Sequence, residues 1–263
     1  MTGPKLFDTF MLRNELDMLQ MRLEELDDLA WRFVLVEATV DHQGHPKPLY
    51  YAENREQFAP WHDRIVHVIA DDLPDSPNPW VREHAQRDRA LPALAEAGAF
   101  DRILISDIDE IPNREALAAG PRPVLALEQA VHPFAVDWYA FAERTSVLAT
   151  AASVRNHGLA ATRDARASYP VVRDAGFHFC WLGGRQACLA KLDAFCHLEA
   201  REVVRQGVES GDFIERGLWN AATLRAVDID ARYPRMIREK RCPKEWFRAG
   251  TQEGAAIDGM GTK

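Results

Sequence analysis

The sequence predicts one α/β domain, a Rossmann-like nucleotide-binding half followed by a mixed extension of the same central sheet. Three observations predict it. Through about residue 113, strand-like apolar runs alternate with helical spacings, the order that right-handed crossovers turn into a parallel sheet. After residue 113, strand-like runs follow one another without helices between them. Two strands of the first half also end in acids, and open α/β sheets hold their ligands at the carboxyl ends of their strands.

The elements come in order. Residues 5–10, "KLFDTF", form a short first strand. In "NELDMLQMRLEELDDLA", Leu16, Leu19, Leu23, Leu26 and Leu29 recur at spacings of three and four, a helix with Asn14 as its N-cap and acids in its first turn. "WRFVLVEATV" is the second strand, and a loop with Gly44, Pro46 and Pro48 follows it. "RIVHVIADD" is the third. "LPDSPNPW" is an irregular loop, and the helix that begins at Trp80 breaks at Pro92. The fourth strand is the run "FDRILISDIDEIP", residues 100–112, with Asn113 opening a short helix after it. Beyond it, "PVLALEQAVHPFAVDWYAF", "TSVLATAASV" and "GFHFCWLGG" read as strands and "RQACLAKLDAFCHLEA" as a helix. No repeat divides the chain. The halves fall at about 1–113 and 114–230, with a tail over about 231–263.

Composition narrows the function. The 263 residues are 47% hydrophobic, enough for one large core, and the formal charge is −8. That sign argues against a nucleic-acid partner. No stretch has the length of a membrane span and the first residues lack a secretory signal, so the chain reads as cytoplasmic. Cys180, Cys188, Cys196 and Cys242 lack paired metal spacing and read as reduced, buried thiols. The basic run "RYPRMIREKRCPKEWFR" is a place for peripheral membrane contact, but the acids near it favour a locally balanced surface.

The chemistry gathers at "ISDIDEIP". Three carboxylates, Asp107, Asp109 and Glu110, at the end of a buried strand repel one another and lose hydration, so a positive partner is expected there. On an extended chain Asp107 and Asp109 fall on one face, two hard oxygen ligands of the kind that hold Mg²⁺ or Mn²⁺ together with phosphate oxygens. Phosphatases of the haloacid-dehalogenase type also place Asp-x-Asp at a strand end. They want it near the N-terminus with a Thr close behind, which Glu110-Ile111-Pro112 does not supply. Sugar-nucleotide transferases place it near residue 100, after a nucleotide-binding half.

The blocks "FDTFMLRNELDMLQMRLEELDD", "FVLVEATVDHQGHPKPLYYAEN", "WVREHAQRDRAL", "ILISDIDEIP" and "GFHFCWLGG…KLDAFCHLE" together resemble glycosyltransferase family 17, whose animal members add bisecting N-acetylglucosamine to N-glycans. The resemblance implies a GT-A fold, a UDP-sugar donor such as UDP-GlcNAc, a divalent cation (Mn²⁺ or Mg²⁺) and inversion at the anomeric carbon. It carries Asp107 and Asp109 over as the metal motif, with His178 and His197 competing to complete it. Asp8, Asn14, Glu15, Glu37, Lys47, Glu83 and Arg87 match further motif positions and are expected, with Asp107, to bind the donor; Trp80 and Glu199 match motif positions as well.

An inverting transfer needs a carboxylate to take the acceptor proton. Glu199 is the first candidate and Asp137, an acid in the apolar run "FAVDWYAF", the second; a solvated helix-end acid and a salt-bridged acid are the bland readings of each. Glu83 and Arg87, at i and i+4, form a surface ion pair or else point toward a diphosphate. Lys47 is a solvated loop lysine or a donor ligand, Asp71 and Asp72 end a strand or approach the nucleotide, and Trp80 and Trp181 belong to the core or stack on a ring. A glycan or other hydroxyl compound is the expected acceptor. The competing functions are a phosphohydrolase acting through the same acids and a non-catalytic binding module for sugar nucleotides or glycans.

Overall fold

The computed structural model describes residues 3–120, 122–194, 196, 201–202, 205–207 and 224–248. Strand β1 (Leu6–Leu12) leads through helix α1 (Leu16–Glu25) to β2 (Ala30–Ala38), and after α2 (Tyr50–Glu53) the chain enters β3 (Ile65–Ala70). Helix α3 (Pro79–Asp88) returns it to β4 (Arg102–Ile105), on the other side of β1. These four strands are parallel, in the order β3-β2-β1-β4. There follow β5 (Glu110–Pro112), α4 (Arg114–Leu117), β6 (Val124–Val131), β7 (Trp138–Tyr139), β8 (Phe141–Thr150), α5 (Ala151–His157) and α6 (Leu159–Asp164). Further along are β9 (Val171–Val172), β10 (Gly176–His178), α7 (Gly184–Ala194), β11 (Arg225–Ala226) and α8 (Arg235–Arg238).

The sheet continues from β4 through antiparallel β8 to β6, β10 and β5, with β9 also on β6, nine strands in all. A Rossmann-like half joined to a mixed sheet is the α/β arrangement the sequence predicts. Both faces are covered. Leu6, Phe10 and Leu12 of β1 pack with Leu19 and Leu23 of α1, whereas Phe7 packs on the opposite face with residues that include Leu94 and Val154. Alternate side chains point to opposite faces, so a strand buried on both sides reads as a nearly continuous apolar run. Each fully buried Phe or Leu contributes about 1.5–3 kcal/mol.

Local chemistry sets the element ends. Asn78 accepts from Trp80 N at 3.1 Å and Pro79 occupies the first helical turn of α3, while Pro92 falls in a separate turn, Leu91–Leu94. Asn113 caps α4 as expected, its Oδ1 accepting from Ala116 N at 2.9 Å. Four expectations are corrected. Helix α1 has Glu15, not Asn14, in the cap position, and Asn14 is exposed. The run 100–112 is two strands, β4 and β5, with a turn between them. "TSVLATAASV" leaves the sheet at Thr150, whose hydroxyl caps α5 by accepting from Ser153 N at 3.3 Å. Of "GFHFCWLGG", the strand holds Gly176–His178 alone.

The described part of the basic tail is paired with acids at the surface. Arg235 and Arg241 pair with Glu24 of α1, Arg232 with Asp230, and Arg248 with Asp137, while Met236, Ile237 and Trp246 enter the core beside α1. Among the described residues no helix is long and apolar enough to cross a membrane.

Candidate active site

All the strand ends that matter meet at one edge. Met11, Leu12 and Arg13 at the end of β1, Asp41 and His42 after β2, the turn 107–110, the start of β8 and the end of β10 surround a cavity of about 590 Å³. That volume lies within the roughly 300–1,000 Å³ of small-molecule sites. The turn is what makes the cavity acidic. Glu110 N donates to Asp107 O at 3.2 Å, which bends the chain and sends Asp107 and Asp109 to different partners. The extended-chain expectation, both carboxylates on one face, is thereby corrected.

The positive charge expected opposite these acids comes from the protein. Asp107 accepts from Arg87 Nη2 through Oδ1 and from Arg163 Nη2 through Oδ2, each at 2.8 Å, and 39% of its side chain is exposed to the cavity. Burial alone would push its carboxyl up, but the Arg163 and Arg87 guanidiniums outweigh that and hold it well below the usual carboxylate range. Glu110 is buried and takes both Arg163 nitrogens, at 2.7 and 2.8 Å, together with the Ser146 hydroxyl at 2.8 Å and Asp107 N at 2.9 Å. Asp109 Oδ2 receives Lys191 Nζ at 3.0 Å, and its Oδ1 lies 3.7 Å from His178 Nε2. Burial works against the Lys191 ammonium, yet the Asp109 carboxylate holds its pKa above the ordinary value.

Beneath the turn lies a second layer. Arg22 of α1 and Asp8 of β1 are both fully buried and joined at 2.5 and 2.7 Å. Arg22 Nη1 also donates to Asp107 O at 3.0 Å and Glu110 O at 2.8 Å, and Nη2 bonds the Ser106 hydroxyl. One guanidinium thus answers a buried carboxylate and fixes the path of the acidic turn by donating to two of its carbonyls.

The predicted residues sort into three groups. Asp107, Asp109, Glu15, Lys47, Glu83, Arg87, His178, Trp80 and Trp181 line the cavity. Asp8 and Glu37 are fully buried and do not open into it, so neither meets a donor directly. Glu37 instead accepts from Tyr51 N at 3.0 Å and His67 at 3.1 Å and stands 3.9 Å from Lys47 Nζ. The pair Glu83–Arg87 is buried, not a surface pair, and carries Arg87 on to Asp107. Asp137 is corrected: it lies outside the cavity, where Arg248 donates to it through Nε at 2.8 Å and N at 3.1 Å, so the salt-bridged reading holds. Asn14 is likewise outside the cavity, and Asp72 pairs with Arg89 at the surface. His197 and Glu199 lie outside the described residues.

Sequence reasoning missed Arg22, Arg163 and Lys191. Arg22 stands three residues after Leu19 and four before Leu26, on the buried stripe of α1, and that position was a readable signal. Arg163 left none, and Lys191, although it opens the block "KLDAFCHLE", gave no sign of its partner. Cys180 and Cys188 are buried thiols, their pKa values raised by burial, to about 12 for Cys188, which makes them inert as expected.

Fold and cavity together define the class: an α/β protein with a cavity outside the carboxyl ends of its strands, at the point where the parallel half turns into the mixed one. The chain belongs to glycosyltransferase family 17, whose sequence profile matches residues 1–214. A curated relative, β-1,4-mannosyl-glycoprotein 4-β-N-acetylglucosaminyltransferase of Rattus norvegicus, is 26% identical over 114 residues, which cover 40% of this chain and 21% of that protein. This chain therefore spans about a fifth of the length of that relative. Among solved structures, a galactosyltransferase in complex with donor and acceptor sugar analogues is 13% identical with a TM-score of 0.34, over 58% of this chain and 60% of its own. Glucosyl-3-phosphoglycerate synthase from Mycobacterium tuberculosis, in complex with Mn²⁺, UDP and phosphoglyceric acid, is 12% identical with a TM-score of 0.39, over 90% and 92%.

Proposed function

We propose that the protein is a metal-dependent inverting glycosyltransferase that moves a sugar, N-acetylglucosamine by its family relationship, from a UDP donor to a hydroxyl of a glycan or other acceptor. The observation that carries the reading is the pair Asp109–His178 beside the arginine-clamped Asp107, at the carboxyl edge of a parallel nucleotide-type half. Among the described residues no three His, Cys, Asp or Glu side chains converge as a self-contained metal site. Asp109 and His178 offer one carboxylate oxygen and one imidazole nitrogen on the cavity wall, which suits a cation that draws its other ligands from a diphosphate and water. These two residues, not Asp107, would hold it, because both oxygens of Asp107 already accept from guanidiniums. Bound there, Mn²⁺ or Mg²⁺ would supply Lewis acidity toward the departing diphosphate.

The protein's own groups do the rest. Arg87 and Arg163 keep Asp107 ionised and rigid at the cavity wall. The acceptor proton calls for a carboxylate that no cation has claimed. Among the described residues Glu143, exposed at the start of β8 and lining the cavity, has no ion-pair partner, and it joins Glu199 as a candidate base. A phosphohydrolase with Asp107 as nucleophile is not favoured, because its oxygens are committed to Arg87 and Arg163.

Isothermal titration with UDP-GlcNAc, UDP-glucose and UDP-galactose, with and without Mn²⁺, tests the function. The expected result is metal-dependent binding of one UDP-sugar, weakened about tenfold or more by Asp109→Ala, since a charge-assisted contact is worth roughly 1.5–3 kcal/mol. Failure of every sugar nucleotide to bind would sink the reading.

A further inference from the structure

Lys191 is a charged residue of the cavity wall in direct contact with Asp109. It sits on α7, whose Cys188 and Leu192 pack with Trp181 in an apolar cluster, and it places Nζ at the edge of that cluster, 3.0 Å from Asp109 Oδ2. The ammonium is also 5.5 Å from the centre of the Trp181 ring, and 24% of the side chain is exposed. The turn that starts α7 is unusual. Trp181, Gly183 and Gly184 all take left-handed backbone angles, with φ of +61°, +97° and +75°. A bulky residue held in that region marks a segment whose path is dictated by its surroundings. Here the path sets where α7 begins and thereby brings Lys191 over Asp109.

An ammonium on Asp109, beside His178, stands where a divalent cation on the same pair would have to bind. We propose that Lys191 is a donor-binding residue, the resident counter-cation of Asp109, which gives up that carboxylate to a divalent cation when a nucleoside diphosphate enters and then donates to the diphosphate itself. The assignment rests on the site's being one for a sugar nucleotide, as proposed above. A lysine suits the exchange: its charge is compact and its stem flexible, so it can pass between two anions, which a forked and anchored guanidinium does less readily. The consequence is thermodynamic coupling. Lys191 competes with free metal for Asp109, the diphosphate relieves the competition by offering the ammonium another partner, and metal and nucleotide each tighten the binding of the other.

Calorimetric titration of Mn²⁺ alone, UDP alone and UDP in the presence of Mn²⁺ into wild type, Lys191→Met, Lys191→Arg and Asp109→Asn decides the matter, with circular dichroism to establish folding. Lys191→Met should bind Mn²⁺ alone about tenfold or more tightly than wild type, because Asp109 is released, and should bind UDP with Mn²⁺ about tenfold more weakly. Lys191→Arg, which keeps the charge but exchanges less readily, should bind UDP with Mn²⁺ with an affinity between those of wild type and Lys191→Met, and Asp109→Asn should lose Mn²⁺ binding in both settings. A folded Lys191→Met protein with wild-type affinity for both Mn²⁺ and UDP overturns the role of Lys191 and leaves the transferase reading intact. A wild-type protein that binds no uridine nucleotide overturns that reading, and this assignment with it.

Discussion

Arg22 and Asp8 meet where neither touches water, and the acidic turn hangs from the arginine's remaining nitrogens. Burial pushes the Asp8 carboxyl up, and Arg22 only partly offsets this. Removing one partner of such a pair strands the other charge, so Arg22→Met should cost about 3–5 kcal/mol at neutral pH in urea denaturation. Adding Asp8→Asn should recover part of that loss, because no charge then remains buried. If Arg22→Met and the double variant were equally unstable, the damage would lie in the freed carbonyls of residues 107 and 110 and not in the lost ion pair. Arg163 works on the cavity side of the same turn, where it grips Asp107 and Glu110 together. Arg22 holds the turn's carbonyls from one side and Arg163 its Asp107 and Glu110 carboxylates from the other, so a like-charged turn can exist at the site.

At the scale of elements, the narrow contact between β5 and β10 decides where those acids point. Glu110 is paired in register with His178, and Gly176 with Pro112. Gly176 has φ +120°, and a Cβ there would lie 2.2 Å from Ile111 O, against backbone that cannot yield cheaply. Gly176→Ala should destabilise the protein by on the order of 3 kcal/mol. It should also weaken UDP binding, since shifting β10 moves His178 relative to Asp109. Thermal melting and nucleotide titration of the same variant check both outcomes. A destabilised protein with unchanged nucleotide affinity would show that β10 serves stability alone.

Over the whole molecule, one core links the site to the C-terminal segment. His132, at the end of β6, is packed among Tyr139, Phe177, Phe179 and Tyr233. Burial is the chief reason its pKa is pushed down to about 4, partly offset by a hydrogen bond with the Val136 backbone. The unfolded chain binds a proton near pH 6.5 that the folded chain refuses until about 4. Stability is therefore intact above the unfolded value and is lost as pH falls from 6.5 through 4, by up to about 3 kcal/mol. His132→Phe should flatten that slope, read from urea midpoints between pH 7 and 4, and an unchanged slope would move the cause to the carboxylates. The same region anchors the last described residues: Val136 N donates to Trp246 O at 2.8 Å, and Arg248 holds Asp137. The acid singled out in "FAVDWYAF" is thus a clasp for the tail.

What the sequence determined by itself is what local pattern encodes. Apolar periodicity set the strands and helices of the first half, Asn113 and Pro92 marked real element boundaries, and the acids of "ISDIDEIP" stood at the strand end where the cavity opens. Asp109, Glu83, Arg87, Lys47 and His178 were legible as cavity residues because their motifs carried a family resemblance. The partners of the acids were decided by tertiary structure alone. Arg22 meets the turn across 85 residues of chain, Arg163 meets Asp107 across 56 and Lys191 meets Asp109 across 82. An ion pair between distant residues leaves no periodicity in either segment, so nothing local foretells it. The same holds for the turn that parts Asp107 from Asp109 and for the fate of Asp8, Glu37 and Asp137. Whether a carboxylate faces a ligand or a buried cation depends on what packs over it, and that is known only once the sheet and its helices have closed.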